Sequence, residues 1–477
     1  MVLINFSIIY VPLSRIYIPS LLKKPIVSMC YDYRMEQRKK YPPRIVALSF
    51  LALILIGWLL LLLPWSSKEG SLTILEAFFT ATSAVCVTGL SVIELSQLSL
   101  LGQTIVMILI QFGGIGFMVI SYFLVLTIRG NLSLSDDTVM EMIVSKDDYG
   151  SLNKGVRLIV TYTFVIEALV FIFILISTPV HTTRANHIWN SLFLSISSFC
   201  NAGFTLSHRS LQSYISNVPF NLVIMTAIIL GALGFPVIND LLQWIKSKWS
   251  KKNYKLNINT LLVLRGTIIL LLLSSLLIYV SERENILQFM NPKEKMIATF
   301  FQAVTLRTAG FSTIPFSQLR RATLLILIPF MFIGGGAGGT AGGIKINTAA
   351  LLLRKIINLA KGSKRLIIGN FEVGKDQIIK CFILFFMGII CLYTASFLLI
   401  LFEPASEFIN LIFESVSAYG TVGLSTGITS QLNWQGQVIL IPLMIMGRIG
   451  SLTLVTALST PKDKSMIEYP GTTFNIG

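Results

Sequence analysis

Thirteen residues recur four times along this chain in altered form: Phe79–Ser91 (FTATSAVCVTGLS), Phe193–Thr205 (FLSISSFCNAGFT), Phe300–Ser312 (FFQAVTLRTAGFS) and Phe413–Ser425 (FESVSAYGTVGLS). Each copy opens on Phe and sets a glycine ten residues later, at Gly89, Gly203, Gly310 and Gly423. Successive glycines lie 114, 107 and 113 residues apart, so the chain is four versions of one unit. A fourfold unit with one such glycine per quarter predicts a single ring.

The setting of that ring follows from composition. With 477 residues, 54% hydrophobic and only 13% charged, the chain carries more apolar surface than a soluble fold could hide, which makes it a polytopic membrane protein. Its net charge of +16 does not point to nucleic acid, because the bases form short clusters beside long apolar runs, the pattern of topological retention. Five cysteines, Cys30, Cys86, Cys200, Cys381 and Cys391, form no CxxC pair and fit neither a disulfide scaffold nor a zinc site. Cys86 and Cys200 share one place in their repeats; packing around a tight turn accounts for both better than a two-ligand metal site.

Within each quarter an apolar span, the motif and a second apolar span follow one another. The spans are Ile45–Leu63 and Leu101–Thr127, Leu158–Ile176 and Phe220–Ile245, Leu261–Val280 and Leu324–Ile357, Ile378–Phe402 and Val438–Leu458. The segments that lead into the motifs, Leu75–Cys86, Ile188–Cys200, Lys295–Leu306 and Phe408–Tyr419, are too short and too rich in small polar residues to cross a bilayer, and read as re-entrant pore helices. Irregular backbone at that depth must be buried in protein or line water. The expected fold is therefore an all-α membrane protein of four pseudo-symmetric helix–pore loop–helix repeats, eight transmembrane helices plus four re-entrant helices, around one pore. The divisions are a loose extension at 1–34, repeats at 35–130, 131–245 and 246–360, and a fourth at 361–477 with a short tail. The extension lacks a small-residue cleavage site, so a removable signal peptide is not expected.

Basic residues at Arg38–Arg44, Lys146–Arg157, Lys246–Lys255, Arg354–Lys380, Lys462 and Lys464 share one side of this eight-span arrangement. That side is the cytoplasm, with both termini on it and the motifs dipping in from the opposite face.

A dehydrated cation in a membrane needs several oxygens in place of its water, and backbone carbonyls provide them without a full charge that would trap the ion. Glycine permits the torsions that turn such carbonyls inward. The candidate filter strands are Cys86, Val87, Thr88, Gly89; Cys200, Asn201, Ala202, Gly203; Arg307, Thr308, Ala309, Gly310; and Gly420, Thr421, Val422, Gly423. Each follows the carboxyl end of a short helix, whose partial negative charge favours a cation. Arg307 is expected to turn away from the ion path. Four copies in register outweigh the alternative of small-residue helix packing.

AVCVTGL, FCNAGF, LRTAGF and YGTVGLS resemble the four filter segments of the Trk/Ktr/HKT superfamily of potassium transporters, the first of them most like the bacterial Ktr-type translocating subunit. The likeness runs from about Met35 to the C-terminus. It implies potassium uptake at a bacterial cytoplasmic membrane through a single-chain pore, with potassium as substrate bound at the filter only, no covalent cofactor, and sodium as a candidate activator. It further implies a homodimer on a cytoplasmic nucleotide-binding ring, with the tail IEYPGTTFNIG at the dimer contact. The basic inner loops suit anionic membrane lipid equally well.

Glycines also mark the span after each motif: Gly113, Gly114 and Gly116, Gly231 and Gly234, Gly447 and Gly450, and in the third quarter Gly334, Gly335, Gly336, Gly338, Gly339, Gly342 and Gly343. The first of them falls 24 residues past the ring glycine in three quarters and 28 in the second. GGGAGGTAGG cannot persist as a helix, since each glycine costs roughly 1 kcal/mol against alanine. A flexible loop that includes Thr340, acting as a movable plug just below the filter, is expected, and the resemblance makes it the intramembrane gating loop, from whose family pattern Ala337 and Ala341 depart. Its formal GxGxxG match lacks the strand and helix of a dinucleotide site.

Arg448 lies too deep in its span to snorkel, and a mid-bilayer charge costs about 2.5 kcal/mol or more unless partnered. It is read as a cation beneath the filter that holds the gating-loop carbonyls, the alternative being an ion pair that locks helices. Glu167 serves either helix pairing or transport, and Glu76 and Glu414, flanking pore helices, either draw cations or cap those helices. His181, His187 and His208 lie on or near outer loops and form no ligand pair. A sodium-preferring or sodium-coupled transporter is the nearest alternative function. An intramembrane enzyme is remote, because no paired Asp, HExxH or serine nucleophile appears in the spans.

Overall fold

The computed structural model describes residues 42–450 except Glu69, 130–151, 180–182, Lys252, Lys364 and Asn370. One compact unit, 43–458, carries the elements below; the other, 1–42 with 459–477, lies almost wholly outside the described residues. The 1–34 extension, the bases at Arg38–Lys40, Lys146, His181, Lys462 and Lys464, the tail and the end of the eighth span also fall outside them.

Fourteen helices are described, in four groups. The first quarter holds α1 (Pro42–Leu61), α2 (Ile74–Val85) and α3 (Leu100–Arg129). The second holds α4 (Leu152–Ser177), α5 (Arg184–Phe199), α6 (Val218–Leu233) and α7 (Phe235–Trp249). α8 (Ile258–Glu282), α9 (Pro292–Thr305), α10 (Arg321–Phe332) and α11 (Ile346–Ala360) make the third, and α12 (Lys375–Phe402), α13 (Phe408–Gly420) and α14 (Trp434–Ile449) the fourth. A small antiparallel hairpin, β1 (Ile367–Ile368) with β2 (Phe371–Glu372), joins α11 to α12 with Ile368 opposite Phe371.

The groups close on themselves. α3 packs on α5, α6 on α9, α10 on α13 and α14 on α2, so the helix that follows the motif in each quarter leans on the short helix of the next. The core is built around the short helices: Phe79, Phe193 and Phe413 are at most 1% exposed, while in the third quarter the buried ring is Phe301, next to Phe300. The outer faces are greasy. Leu59, Ile269, Leu272, Ile390 and Tyr393 are 60–74% exposed, which only a lipid-facing belt tolerates.

α4 from Gly155, α8 and α12 are each long and apolar enough to cross a bilayer alone. Two other expected spans are broken. Phe220–Ile245 is two helices, α6 and α7, bent by 104°. The bend falls at Gly234, whose φ of 91° no side chain adopts readily, followed by Pro236 in the first turn of α7. Leu324–Ile357 is likewise α10 and α11 separated by the glycine-rich loop.

Each quarter ties the end of its first helix to the start of its later one. Ser99 N–H donates to Ser66 O (3.0 Å), and Asn217 Nδ2 donates to Ser177 O (2.6 Å). In the third quarter Glu282 accepts from Arg320 N (3.0 Å) and from the Thr323 hydroxyl. In the fourth, Glu403 accepts from Asn433 N (2.7 Å) and Asn433 Nδ2 (3.1 Å). Arg320 and Asn433 are the N-cap residues of α10 and α14, so the two carboxylates satisfy N–H groups at helix starts. Glu403→Ala should destabilise the protein by about 1–3 kcal/mol by removing the buried acceptor for the N-cap of α14, and Glu403→Gln by less. Thermal unfolding in nanodiscs measures both.

Candidate functional site

The four short helices end alike. Val87, Asn201, Thr308 and Thr421 take φ of 54°, 59°, 62° and 48°, and Gly89, Gly203, Gly310 and Gly423 take 92°, 70°, 77° and 81°. A left-handed Val or Thr is uncommon and persists only when its surroundings impose it. Here the helix end does so. Val87 N donates to Ala84 O (3.1 Å) and Thr88 N to Ser83 O (2.8 Å), the paired bonds that close a helix through a left-handed residue. The same pair recurs as Asn201 N to Ser198 O (3.2 Å) with Ala202 N to Ser197 O (2.7 Å), and as Thr421 N to Ala418 O (3.1 Å) with Val422 N to Ser417 O (2.8 Å). The third quarter departs, with Ala309 N on Thr305 O at 3.0 Å. Val304 stands there in place of the serine whose hydroxyl, in Ser83 and Ser197, donates to Leu90 O (2.6 Å) and Phe204 O (2.8 Å).

These turns bring the four glycines together. A Cβ on Gly89 would strike Ala202 O, on Gly203 Ala309 O (2.9 Å), on Gly310 Val422 O (2.8 Å), and on Gly423 Thr88 O. Each glycine therefore abuts the residue before the next quarter's glycine, and the fourth returns to the first. The residues around each glycine are buried, while the glycines themselves keep partial exposure. Asn201 Oδ1, Thr308 Oγ1, Thr421 Oγ1 and Thr88 Oγ1 are buried oxygens without a hydrogen-bond partner among the described residues.

Glycines in the later helices make room for this arrangement. A Cβ on Gly113, Gly231 or Gly447 would enter the carbonyl of Val85, Phe199 or Tyr419, in each case the residue four before the ring glycine. The unequal spacing of Gly231 thus still delivers it to the equivalent place. Gly334 breaks the pattern and meets Gly342 O of its own loop.

That loop, 333–345, is irregular and bonded on several sides. Gly336 N donates to Ala232 O (2.8 Å), Thr340 N to Gly231 O (3.0 Å) and Gly343 N to Gly447 O (3.3 Å), while Phe235 N donates to Gly338 O (3.2 Å). Its neck is closed by Gly334 N on Ile344 O (2.9 Å) and Ile344 N on Phe332 O (3.1 Å). Three cations reach its carbonyls: Arg448 Nη1 donates to Thr340 O, Lys345 Nζ to Ala341 O, and Arg307 Nη1 to Gly334 O (3.2 Å). Arg448 Nη2 also donates to Gly113 O (2.9 Å) on α3, so backbone carbonyls hold this buried charge. The sequence reading does not find Lys345; its signal is a lysine between two isoleucines beside the glycine run.

Other acidic residues sort by contact. Glu167 accepts from Gln111 Nε2 at 2.9 Å and joins α4 to α3, with Cys200 Sγ 3.8 Å from its other oxygen. Glu76 sits in a capping box with Thr73, the capping role of the two considered. Glu414 does not flank its helix: it lies fully buried in the middle of α13 and accepts from the Thr429 hydroxyl. His208 Nδ1 pairs with Glu94 at 2.5 Å on the exposed surface.

A family model described as TrkH, a cation transport protein, matches residues 15–467. The Ktr system potassium uptake protein B of Vibrio alginolyticus is 35% identical over 94% of this chain and 97% of its own length. The potassium/sodium uptake protein NtpJ of Enterococcus hirae is 33% identical over 91% of this chain and 96% of its own. Among solved structures, the potassium transporter TrkH from Vibrio parahaemolyticus superposes with a TM-score of 0.68 at 18% identity, covering 87% of this chain and 84% of that one, and so shares the fold. With a family model spanning nearly its whole length and relatives above 30% identity over nine-tenths of it, the chain belongs to the TrkH family of cation transport proteins.

Proposed function

We propose that this chain carries potassium into the cell through the ring of Gly89, Gly203, Gly310 and Gly423, with loop 334–343 as the gate beneath it. The observation that carries the reading is the closed succession of the four glycines, each seated on the carbonyl before the next. The short-helix carboxyl ends converge on that ring and favour a cation, and the buried unpaired oxygens of Thr88, Asn201, Thr308 and Thr421 offer further ligands. The relatives named as potassium uptake proteins support the ion. The membrane potential supplies about 2.3 kcal/mol per charge for each 100 mV, enough to concentrate potassium without nucleotide chemistry in this chain.

Arg448 and Lys345 hold neighbouring carbonyls of the loop, so the gate is a glycine-rich backbone pinned by fixed positive charge under the filter. These charges also raise the barrier to a second cation. A sodium role, as co-ion or activator, is the second reading, favoured by the relative named for both ions. The basic segments 246–255 and 354–380 support a cytoplasmic position for that side of the protein in a bacterial inner membrane. The resemblance supports a homodimer on a cytoplasmic nucleotide-binding ring, a match for relatives named as parts of a Ktr system.

Gly310→Asp should abolish rescue of a potassium-uptake-deficient host at low potassium, with the protein still present in the membrane; undiminished growth refutes the filter assignment. Deleting 336–340 should raise potassium flux in proteoliposomes, and unchanged flux counts against a gate there. Arg448→Ala should alter conduction by about tenfold or more while assembly survives. Loss of folding alone would return Arg448 to the role of a helix lock.

A further inference from the structure

Of the three cations that reach the loop, Arg307 differs in where its backbone lies. It is the first residue of the third tetrapeptide, yet its side chain ends on the loop, where Nη1 donates to Gly334 O at 3.2 Å. Its own carbonyl accepts from Asn201 Nδ2 at 3.3 Å, so the residue is also bonded to the second tetrapeptide. It is 3% exposed, and Nη2 has no partner among the described residues. Gly334 is the neck of the loop: its N–H holds Ile344 O, and a Cβ there would strike Gly342 O and lie 3.5 Å from Thr308 Cγ2. Loop neck and ring strand are thus closely apposed as well as hydrogen-bonded.

The third strand, like the fourth, whose Ser417 hydroxyl has no partner among the described residues, lacks the serine bond that its own short helix gives the first two. Ser83 and Ser197 hold the strands that follow them, and Val304 cannot. A buried guanidinium with few partners does not release one readily, because no water at that depth replaces it. We propose that Arg307 is a positioning residue that couples gate to filter: displacement of the loop at Gly334 draws on Arg307 and shifts Thr308–Gly310, so loop position sets ion discrimination as well as flux. This rests on the reading of the ring as filter and the loop as gate.

The test uses the full chain in proteoliposomes and measures potassium and sodium uptake separately. In the parent protein, deleting 336–340 should lower the potassium-to-sodium ratio about fivefold along with its rise in flux; in an Arg307→Gln background the same deletion should raise flux and leave the ratio within about twofold. Arg307→Lys, which keeps one donor for Gly334 O, should restore the parent's response to the deletion. An equal shift in both backgrounds, or a parent whose flux rises at constant ratio, overturns the coupling. If Arg307→Gln fails to accumulate, the parent deletion decides alone, with a constant ratio again overturning the proposal. Absence of potassium flux in the parent would instead overturn the filter reading itself.

Discussion

At four points around one axis this protein has no space for a Cβ atom. Each point is filled by the carbonyl of a neighbouring quarter, so the four backbones fix one another's positions and none can be set without the rest. The other local features follow from that contact. Left-handed residues turn each chain sharply off its helix, paired hydrogen bonds hold the turn, and glycines in the later helices let those helices press against the turning carbonyls. Glycine at the ring is a steric requirement reinforced by positive φ, two independent reasons for one residue.

Much of this is legible in the sequence because repetition converts weak signals into a strong one. A single TVGL or NAGF is a small-residue patch, whereas four at matched intervals demand a common axis. The glycine run of the third quarter is legible for a different reason: its helix propensity is too poor to survive in a span. What the sequence conceals is context. Phe220–Ile245 is mostly apolar, and the Gly234–Phe235–Pro236 triplet betrays the bend. Glu414 looks peripheral by its distance from the ring, yet helix periodicity carries it inward onto Thr429. Arg448 is legible as a cation for the loop carbonyls, and what the fold adds is its second acceptor, Gly113 O on α3.

The third quarter is where the symmetry is spent. It lacks the serine brace, its strand bonds follow another pattern, its Gly334 contacts its own loop, and its later helix is divided in two. The other three quarters share the paired bonds at the helix end, so mobility can be confined to one side of an otherwise over-determined structure.

The two broken helices of the second and third quarters repair one another. The carbonyls of Gly231 and Ala232, at the end of α6, receive N–H groups from Thr340 and Gly336, and Phe235 at the start of α7 donates to Gly338 O. Backbone groups left open at this depth have no solvent unless a cavity brings it. Withdrawal of the loop therefore strands polar atoms on both elements at once, and it becomes affordable only as water takes up the vacated bonds. For the loop as the proposed gate, opening would then be a wetting transition, in which hydration of the vacated bonds and motion of the chain are a single event.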